Sequence, residues 1–481
     1  MTIRELLYGI EYRTCAGLDL DAAITDITAD SRKVAPGSVF VCVSGTRVDA
    51  HVFAAEARKA GAVAVIGERD PGDGSVNVFV GSCRKAYALA CANFYGRPQQ
   101  RLKLVGVTGT NGKTTTSVLI KNILEYAGKR VGLIGTISNV IGGMEVAANY
   151  TTPEAKEFYS LLRQMADSGA EYVVSEVSSH ALDQNRVEGC VFDVGVFTNL
   201  TQDHLDYHVT MEAYSAAKAK LFAVSRISVI NADDPAGELM LDSAEGETLT
   251  YSARSDDADL TAKNVTLRSD GASYELVTRG DIARIITRMP GMFNVYNTLA
   301  AASAAYALGV PLATVKEALA ISQGVKGRLE IVPTDTDYTV IIDYAHTPDG
   351  IENILRAVRD FAKGRIICLF GCGGDRDKTK RPLMGEAAAA LADYLFITSD
   401  NPRTEDPEAI IADILEGVKD CGTPYTVITD RTQAIAAALA EAKEDDVVIL
   451  AGKGHETYQI LGTEKIHYDE REIVADILAN K

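Results

Sequence analysis

The sequence predicts an α/β protein of three domains: a small N-terminal α/β domain, a central doubly wound domain and a second doubly wound domain at the C-terminus. Three observations predict this architecture. The 481 residues exceed what a single core usually supports. Short apolar runs of strand length alternate with helical segments over most of the chain. Polar breaks near residues 97 and 328 divide the chain into 1–97, 98–328 and 329–481.

The composition is that of a soluble globular protein, with 47% hydrophobic and 24% charged residues. The net charge of −18 disfavours nucleic acid and an anionic membrane as partners, because both would be repelled. An anionic small substrate is compatible with this charge, since basic residues can be concentrated in one cleft.

The eight cysteines are scattered, form no C-x-x-C pair and lie mostly in apolar runs, so we expect reduced core thiols. The N-terminal segment MTIRELLYGIEYR does not resemble a signal peptide, and no run of 18 apolar residues occurs. We therefore expect a cytoplasmic protein with no membrane association, and we expect a monomer.

The N-terminal domain is predicted from apolar runs at 39–43, 62–66 and 76–80, with a helix at 53–60 between the first two. A polar turn, Asp30-Ser31-Arg32, lies before the first run. Ser31 and Arg32 are suited to hold a phosphate or diphosphate, and a solvated turn explains the same residues equally well.

The central domain is organised around residues 103–121, KLVGVTGTNGKTTTSVLIK, in which an apolar strand leads through a glycine loop into a helix. Gly109 and Gly112 interrupt the apolar pattern. Such a loop directs backbone N–H groups at a polyphosphate, while Lys113 reaches the outer phosphates and Thr114 ligates Mg²⁺.

The spacing departs from the pattern G-x-x-x-x-G-K-[ST], which requires glycine where this chain has Val107. An ordinary strand-to-helix turn is the alternative interpretation. Nucleotide binding is favoured because Gly-Lys-Thr-Thr falls at the start of the helix, after a strand of buried type, where phosphate binding requires it.

Further strands at 131–137, 172–177, 191–197 and 227–231 predict a mostly parallel, P-loop-type sheet. Ligands collect at the carboxyl ends of such strands, where Thr151-Thr152, Glu176 and His204 lie. Glu176 and His204 are candidate Mg²⁺ ligands. A salt bridge or a helix cap is the more common role of such residues taken singly.

Three later segments carry less information. Lys218 lies in a predicted helix at 211–224 and is interpreted as a lysine on its surface. Alternation over 248–289 predicts antiparallel strands at the flank of the sheet. Asn294 and Asn297 precede an Ala-rich helix predicted at 298–307, where ligand binding and helix capping are both open.

The C-terminal third predicts a Rossmann-like sheet, with strands at 339–343, 365–370, 394–398, 425–429 and 447–451. Polar loops follow four of these strands, at 343–348, 371–377, 399–403 and 452–456. Because parallel strands end at one edge of a sheet, the four loops are expected to form a binding face. This sheet has no phosphate loop, so we expect it to present an acceptor to the nucleotide of the central domain.

Six motifs occur in a fixed order along the chain: TGTNGKTT at 108–115, EVSSH at 176–180, the polar segment 199–208, NVYN at 294–297, DYAHTP at 343–348 and DNPR at 400–403. Together they resemble the motifs of the Mur ligases, and the resemblance covers essentially the whole chain. The one-residue offset of the glycine loop is the form found in that family.

The resemblance implies an ATP-dependent amide ligase of peptidoglycan precursor synthesis, which adds meso-2,6-diaminopimelate to the D-glutamate carboxylate of UDP-MurNAc-L-Ala-D-Glu. The carboxylate attacks the γ-phosphate of ATP and becomes an acyl phosphate, and the amine of the acceptor then displaces phosphate. Because the partners are anionic, Mg²⁺ and cationic side chains have to offset their repulsion.

The resemblance also implies roles for individual residues. Catalysis would involve Lys113, Glu176, His204 and Lys218, with Thr114, Glu176, His204 and Lys218 at the metal and Lys218 carbamylated by CO₂. ATP would contact Gly109, Thr110, Asn111, Gly112, Lys113, Thr114, Thr115, Asn294, Asn297, Arg328, Asp343 and His346. The UDP-MurNAc-dipeptide would contact Ser31, Thr151, Thr152, Ser178, Gln184 and Arg186. The acceptor would contact Arg376, Asp400, Asn401, Pro402, Arg403, Gly452 and Glu456.

The DNPR motif implies diaminopimelate as the acceptor, because lysine-adding members of the family lack its arginine. Arg403 offers a bidentate donor to the second carboxylate, which lysine does not have, and Glu456 suits the distal ammonium. Without the resemblance, a simple turn before a helix capped at Asp406 explains the motif. Lysine addition, a folylpolyglutamate synthetase-like ligation and a nucleotide-gated switch without ligation are the alternative functions.

Overall fold

The structure of the protein, a computed structural model, describes residues 1–45, 48–148, 150–268 and 270–479. The described chain divides into two compact units, residues 1–261 with 299–315 and residues 262–298 with 316–481. Each unit has its own core of buried apolar side chains.

A small α/β layer forms the N-terminal part of the first unit. Its elements are α1 (Ile3–Leu6), β1 (Tyr12–Thr14), β2 (Asp26–Thr28), β3 (Ser38–Val41), α2 (Ala54–Lys59), β4 (Ala64–Gly67), β5 (Val78–Val80) and α3 (Cys83–Phe94). The strands form a sheet in the order β1-β5-β4-β3-β2, in which β1 is antiparallel and the others are parallel. The predicted strands at 39–43, 62–66 and 76–80 and the helix at 53–60 are confirmed, with small shifts of their ends.

A larger α/β layer follows in the same unit. Its elements are β6 (Lys103–Thr108), α4 (Lys113–Tyr126), β7 (Val131–Ile134), β8 (Ser138–Ile141), β9 (Met144–Ala147), α5 (Ala155–Asp167), β10 (Tyr172–Glu176), α6 (Ser179–Asp183), β11 (Phe192–Phe197), α7 (Leu205–His208), α8 (Met211–Ala219), β12 (Ser225–Asn231), α9 (Gly237–Asp242), β13 (Glu247–Ser252) and β14 (Leu260–Arg268). The sheet order is β13-β12-β11-β6-β10-β7-β8-β9. All of these strands are parallel except β8 and β9, which confirms the predicted sheet.

The strand before the glycine loop, β6, lies between β10 and β11. Its residues 104–108 are buried, as expected for a central parallel strand that is covered on both faces. Glu176 pairs with Val107, and Phe197 pairs with Thr108. The carboxyl ends of the three strands are therefore level, and the segments that follow them lie around the glycine loop.

The prediction of antiparallel strands over 248–289 is partly wrong. Strand β13 is parallel to β12, and the first two residues of β14 pair in parallel with the end of β13. The antiparallel arrangement holds for β15 (Gly271–Val277) and β16 (Ile282–Thr287), which form a hairpin. Alternating polarity reports that one face of a strand is exposed and does not fix the direction of its neighbour.

The second unit is built around another doubly wound sheet. Two helices precede this sheet, α10 (Met292–Ala307) and α11 (Leu312–Ile321), of which residues 299–307 and 312–315 belong to the first unit. The elements that follow are β17 (Glu330–Val332), β18 (Thr339–Asp343), α12 (Pro348–Arg359), β19 (Ile366–Phe370), α13 (Lys380–Leu391), β20 (Tyr394–Ile397), α14 (Pro407–Leu415), β21 (Tyr425–Val427), α15 (Arg431–Glu441), β22 (Val447–Ala451), β23 (Tyr458–Leu461), β24 (Glu464–His467) and α16 (Glu470–Ala479). The sheet order is β17-β18-β22-β19-β20-β21, and β23 and β24 form a separate hairpin.

The predicted binding face of the second unit is confirmed as an arrangement of loops. Strands β18, β22, β19 and β20 are neighbours and parallel, so they end at one edge. The loops at 343–348, 452–456, 371–377 and 399–403 follow these strands. Chain segments more than 100 residues apart in sequence are thus brought to the same edge of the sheet.

All eight cysteines are free, and six of them are buried. The expectation of core thiols is wrong for Cys15 and Cys421, which are exposed. In the described residues, no helix is both long enough and apolar enough to cross a membrane.

Candidate active site

The glycine loop lies between the end of β6 at Thr108 and the start of α4 at Lys113, as predicted. Lys113 Nζ donates hydrogen bonds to the carbonyl oxygens of Gly109 at 2.9 Å and Thr110 at 2.8 Å, so the ammonium lies against the loop backbone. Gly109 has a φ of 149°, and a Cβ built there would overlap Thr198 Oγ1. Glycine is required at 109 because the loop packs directly against the segment that follows β11.

That segment also fixes the shape of the loop. The N–H of Thr110 donates to Asn199 O, and the N–H of Asn111 donates to Asn199 Oδ1, both at 2.9 Å. Thr198 Oγ1 donates to Asn111 O at 2.7 Å. The loop is therefore held by contacts within the protein and is preorganised for a ligand.

The helix that follows the loop offers a phosphate site. Gly112 has a φ of 81° and precedes α4, whose first turn contains Lys113, Thr114 and Thr115. A phosphate at the start of this 14-residue helix would meet the N–H groups of its first turn and the positive end of the helix dipole. The structure thus brings together the seven loop residues, 109–115, that are expected to contact ATP.

Glu176 ends β10 beside this loop, as its position in the sequence predicts. Its buried carboxylate accepts a hydrogen bond from Thr114 Oγ1 at 2.9 Å. It also accepts from the N–H of Thr136 at 2.8 Å and from its Oγ1 at 3.0 Å. A carboxylate next to a hydroxyl is an oxygen donor set of the kind that Mg²⁺ prefers.

Magnesium fits this donor set. Among the described residues, no group of three or more His, Cys, Asp or Glu side chains is placed to hold a metal ion. A nucleotide-bound Mg²⁺ does not require such a group, because one or two carboxylates and the phosphates complete its shell. His204 is the residue before α7 and has a φ of 53°. Its side chain is 44% exposed, with Nε2 3.5 Å from Asp203 Oδ2 and the ring 4.8 Å from the His180 ring.

Lys218 is not on the surface of its helix, and the sequence interpretation of this residue is wrong. Its side chain is 1% exposed, and Nζ donates to Gly109 O at 2.7 Å, the same carbonyl that receives Lys113 Nζ. Nζ also lies 4.4 Å from the centre of the Tyr214 ring. Burial, and then the charge of Lys113, hold the pKa of Lys218 well below its usual value. Lys218 therefore lies buried beside the phosphate loop, where loss of its proton is favoured relative to an exposed lysine.

The residues expected to hold the UDP-MurNAc-dipeptide near its acid end lie together after β10 and before α5. They are Thr151, Thr152, Ser178, Gln184 and Arg186. Thr152 Oγ1 accepts from the N–H of Ser178 at 3.0 Å. Arg186 donates to Thr152 O at 2.8 Å and to Gln184 Oε1 at 2.9 Å. The polar cluster is next to Glu176, whose carbonyl accepts from Thr152 Oγ1 at 2.8 Å.

Ser31 lies apart from this cluster along the chain, in a one-turn helix of the N-terminal layer. Arg32 follows it, and its guanidinium pairs with Asp30 at 2.8 Å. Asp30 accepts from Arg32 Nε and Nη2, and the Arg32 side chain is 87% exposed, so the phosphate interpretation of Ser31 and Arg32 stays a prediction.

Arg84 is a candidate residue of the polar cluster after β10, and the sequence did not predict it. It lies near the start of α3. Its guanidinium donates to Ser44 O at 2.8 Å and to Gln184 Oε1 at 3.4 Å. It therefore links the N-terminal layer to the polar cluster after β10. No motif marks this arginine in the sequence, because its partners are a backbone carbonyl and a side chain 100 residues away.

In the second unit, Arg328, Asp343 and His346 lie around Tyr344, which the sequence analysis did not assign. The Arg328 guanidinium is 5.1 Å from the centre of the Tyr344 ring, and the rings of His346 and His455 are 4.6 and 4.9 Å from it. Burial lowers the pKa of both imidazoles and raises that of the Asp343 carboxyl. Flat neutral rings beside a guanidinium suit a nucleotide base.

Asn294 and Asn297 lie inside α10, which begins at Met292, so the helix starts earlier than predicted and the capping interpretation is wrong. Both side chains are buried. Asn297 Nδ2 donates to Asn294 Oδ1 at 3.1 Å, and Asn294 Nδ2 donates to Pro290 O at 2.9 Å. The two amide side chains are therefore hydrogen-bonded to each other and buried on one face of the helix.

The residues expected to hold the acceptor lie on three of the four loops of the binding face. Arg403 has a φ of 52°, and its Nη1 donates to Gly374 O at 2.7 Å. Asn401 Nδ2 donates to Glu456 Oε2 at 2.9 Å, which joins the loop after β20 to the loop after β22. Arg376 is exposed on the loop after β19. Pro402 lies between Asn401 and Arg403 and is buried.

The absence of a side chain at Gly452 is related to the position of the Asp400 carboxylate. Asp400 Oδ2 is buried and has no hydrogen-bond partner in the described part of the chain. Gly452 has a φ of 115°, and a Cβ at 452 would lie 2.8 Å from this oxygen. Glycine therefore avoids a close contact with this buried carboxylate oxygen, which also lies 3.9 Å from Arg431 Nη1.

Gly452→Ala is expected to weaken acceptor binding because the added methyl group meets Asp400 Oδ2. The unfavourable φ adds a cost of about 1–3 kcal/mol, visible as a lower Tm. Steady-state kinetics should show a higher KM for the acceptor with little change for ATP. Gly422→Ala is the matched control, because Gly422 has a φ of 75° with no atom within 4 Å of the built Cβ. It should lower the Tm and leave both KM values unchanged; a loss of acceptor binding in both variants would contradict the assignment.

Two buried arginines support the binding face and were missed by the sequence analysis. Arg381 on α13 pairs with Glu405 at 2.9 Å and Asp413 at 2.8 Å, which holds the end of the DNPR loop. Arg431 on α15 pairs with Glu470 at 2.8 Å and donates to Ala451 O at 2.9 Å, immediately before Gly452. Both side chains are fully buried, so both serve to position the loops.

Three family models match successive parts of the chain. The Mur ligase family catalytic domain matches residues 23–85, the Mur ligase middle domain matches 107–305, and the Mur ligase glutamate ligase domain matches 327–454. These matches agree with the three domains that the sequence predicts.

Proteins named UDP-N-acetylmuramoyl-L-alanyl-D-glutamate–2,6-diaminopimelate ligase are similar over the full length. The protein of Caldanaerobacter subterraneus subsp. tengcongensis is 47% identical over 482 residues, covering 100% of this chain and 99% of its own. That of Clostridioides difficile is 45% identical over 484 residues and is covered completely, as is this chain. A solved structure of a ligase of this name aligns with a TM-score of 0.74 at 33% identity, covering 100% of this chain and 99% of the other. With its glycine loop, its two doubly wound sheets and these relatives, the chain belongs to the Mur ligase family.

Proposed function

We propose that the protein is an ATP-dependent ligase that joins meso-2,6-diaminopimelate to the D-glutamate carboxylate of UDP-MurNAc-L-Ala-D-Glu. The single observation that carries the proposal is the full-length similarity, at 47% identity, to a ligase named for this dipeptide and this acceptor. The proposal assigns residues 1–97 to the UDP-MurNAc end, 98–328 to ATP and 329–481 to the acceptor amino acid. Since both nucleotide substrates occur in the cytoplasm, we place the enzyme there.

The phosphate site of the first unit supports ATP as the energy source. Lys113 and the start of α4 would hold the phosphates, since both direct positive charge at the same point. Thr114 and Glu176 would hold Mg²⁺, with His204 proposed as a further ligand. The ion would supply charge neutralisation at the transferred phosphoryl group.

The reaction then needs two steps. The D-glutamate carboxylate attacks the γ-phosphorus, which forms an acyl phosphate and releases ADP. The neutral amine of the acceptor attacks the acyl carbon, the amide bond forms, the C–O bond to phosphate breaks, and the amine loses a proton. Thr152, Ser178 and Arg186 would orient the acid, since they cluster beside the phosphate loop.

Lys218 would act after modification. Its lowered pKa favours the neutral amine, the form that attacks CO₂: an N–C bond forms and the nitrogen loses a proton, which leaves a carbamate anion. The modification places an anion beside the Lys113 ammonium, and the two charges attract each other. The anion would lie beside the phosphate loop, where it could support a second Mg²⁺.

The binding face of the second unit supports a diamino dicarboxylic acid as the acceptor. Arg403 is a fixed guanidinium that suits the distal carboxylate, and Glu456 and Asp400 are carboxylates that suit the two amino groups. Lysine would leave the half-buried Arg403 without an anionic partner, so we expect the site to favour the diamino dicarboxylic acid.

The proposal is tested by mass spectrometry of the product formed from UDP-MurNAc-L-Ala-D-Glu, ATP and an equimolar mixture of meso-diaminopimelate and lysine. We expect the mass of the diaminopimelate amide. A lysine product would overturn the choice of acceptor. Phosphate release from ATP in the absence of the dipeptide, with no new amide, would favour a nucleotide-gated switch.

A further inference from the structure

Lys453, in the loop after β22, is a fully buried lysine that the proposed reaction does not yet use. Its side chain is 0% exposed. Nζ lies 3.2 Å from Asn401 Oδ1 and 3.2 Å from Glu456 Oε2, and the rings of Tyr458 and Tyr468 are 5.8 and 5.7 Å away. Burying an ammonium is costly unless it is paired, so packing alone would favour an apolar side chain here.

The contacts of Lys453 determine which way the Asn401 amide points. Asn401 Oδ1 accepts from Lys453 Nζ and from the N–H of Ile460 at 3.0 Å. Two donors on one side identify that atom as the oxygen. Asn401 Nδ2 is thereby turned towards Glu456 Oε2, to which it donates at 2.9 Å.

The same contacts divide the two oxygens of Glu456 between different tasks. Oε2 accepts from both Asn401 Nδ2 and Lys453 Nζ. In the described chain, Oε1 has one long contact, with the Tyr458 hydroxyl at 3.4 Å. Oε1 is therefore the oxygen that remains available to an ammonium of a ligand.

We infer that Lys453 is a positioning residue of the acceptor site, which acts through Asn401 and Glu456 to direct Glu456 Oε1 at the distal ammonium of the acceptor. This inference rests on the proposed function. Lys453 itself is 0% exposed and donates to Asn401 and Glu456, so it would act on the substrate through these two residues. It joins the loop after β22 to the loop after β20, so the two halves of the acceptor site keep a fixed separation.

The test is a double-mutant cycle with Lys453→Met and Glu456→Gln. Lys453→Met is expected to raise the KM for meso-diaminopimelate about 10- to 100-fold, with the KM for ATP unchanged, since a buried carboxylate loses a charged partner. In the Glu456→Gln background the same change should cost less than about threefold, because the residue through which Lys453 acts is already altered. Independent, multiplicative effects would overturn the inference.

The KM for an acceptor analogue gives a second measurement, which distinguishes a positioning role of Lys453 from a merely structural one. 2-Aminopimelate keeps both carboxylates and lacks the distal ammonium. Lys453→Met should leave its KM, or its Ki as a competitor, within about twofold of the wild-type value, since no ammonium is there to meet Glu456. An equal loss for both compounds would contradict the proposed route.

Lys465→Met is the matched control. Lys465 Nζ lies 3.5 Å from the centre of the same Tyr458 ring, yet its side chain is exposed on β24. It should leave the KM for diaminopimelate unchanged. If Lys453→Met does not fold, as judged by its Tm, the cycle is run with Lys453→Gln, which keeps a donor to Asn401 and removes the charge.

Different results would refute the proposed acceptor and the proposed role of Lys453. If wild-type enzyme makes no amide from diaminopimelate, the proposed acceptor is wrong, and the cycle is repeated with the diamino acid that the enzyme does use. If wild-type enzyme makes the expected amide and Lys453→Met has an unchanged KM, only the role of Lys453 is refuted.

Discussion

Lys218→Ala is expected to lower amide formation by about 10³-fold or more, in keeping with loss of a group that stabilises charge at the reacting phosphate. Lys218 is buried and shares the Gly109 carbonyl with Lys113. Alanine removes the amine that is proposed to carry the carbamate. Phosphate release that depends on both the dipeptide and the acceptor measures the effect.

Rescue experiments separate the carbamate from a structural role of Lys218. Bicarbonate should not restore the alanine variant, whereas a short carboxylic acid should restore part of the activity by placing a carboxylate in the space left. Lys220→Ala is the control, because Lys220 is exposed and pairs with Asp183 at 2.9 Å. Full activity of Lys218→Ala without any addition would refute the role.

Arg403→Ala is expected to raise the KM for meso-diaminopimelate about 100-fold, as is typical when one partner of a shielded charge pair is removed. Arg403 has a φ of 52°, and its Nη1 donates to Gly374 O at 2.7 Å. Its guanidinium is therefore preorganised for a carboxylate. Arg403→Lys should be intermediate, because lysine keeps the charge and loses the bidentate geometry. Steady-state kinetics with each substrate varied in turn measures both.

The assignment of Arg403 requires that the KM rises for diaminopimelate and not for ATP. Arg359→Ala, which removes an arginine paired with Asp393 at 2.8 Å on the surface, should change no KM. An equal rise in the KM for ATP and for diaminopimelate in Arg403→Ala would remove Arg403 from the acceptor site.

The arrangement of strands and loops was predictable because its signals are local. The strands of both doubly wound sheets are short apolar runs, and their polar ends are visible in the sequence. Once the strands are taken as parallel, Glu176 and the four loops of the second unit must lie at the carboxyl edges. The alternating segment 248–289 was less informative, since alternation does not reveal whether a neighbour runs parallel or antiparallel.

The buried cations were missed although their spacing carries a signal. Lys218 lies four residues after Tyr214 and three before Leu221, which places it on the apolar face of its helix. Arg381 and Arg431 likewise precede buried residues at helical spacing, such as Met384 and Ile435. A charge on an apolar helix face predicts either a buried ion pair or a functional group.

The partners of such residues could not be predicted from local spacing. Arg381 reaches Glu405 and Asp413, and Lys453 reaches Asn401, across 24 to 52 residues of sequence. The pair formed by Lys113 and Lys218 depends on a shared backbone carbonyl, which no side-chain motif records. These contacts require the packed fold, because they arise where strand ends from distant segments meet.

The central claim is that ATP activates the D-glutamate carboxylate as an acyl phosphate before the amine attacks. It is tested most directly by mass spectrometry of inorganic phosphate released from a reaction with UDP-MurNAc-L-Ala-D-Glu labelled with ¹⁸O in its D-glutamate carboxylates. An acyl phosphate predicts one ¹⁸O atom in each phosphate, since the C–O bond breaks when the amine attacks. Unlabelled phosphate accompanied by formation of the amide would contradict the account.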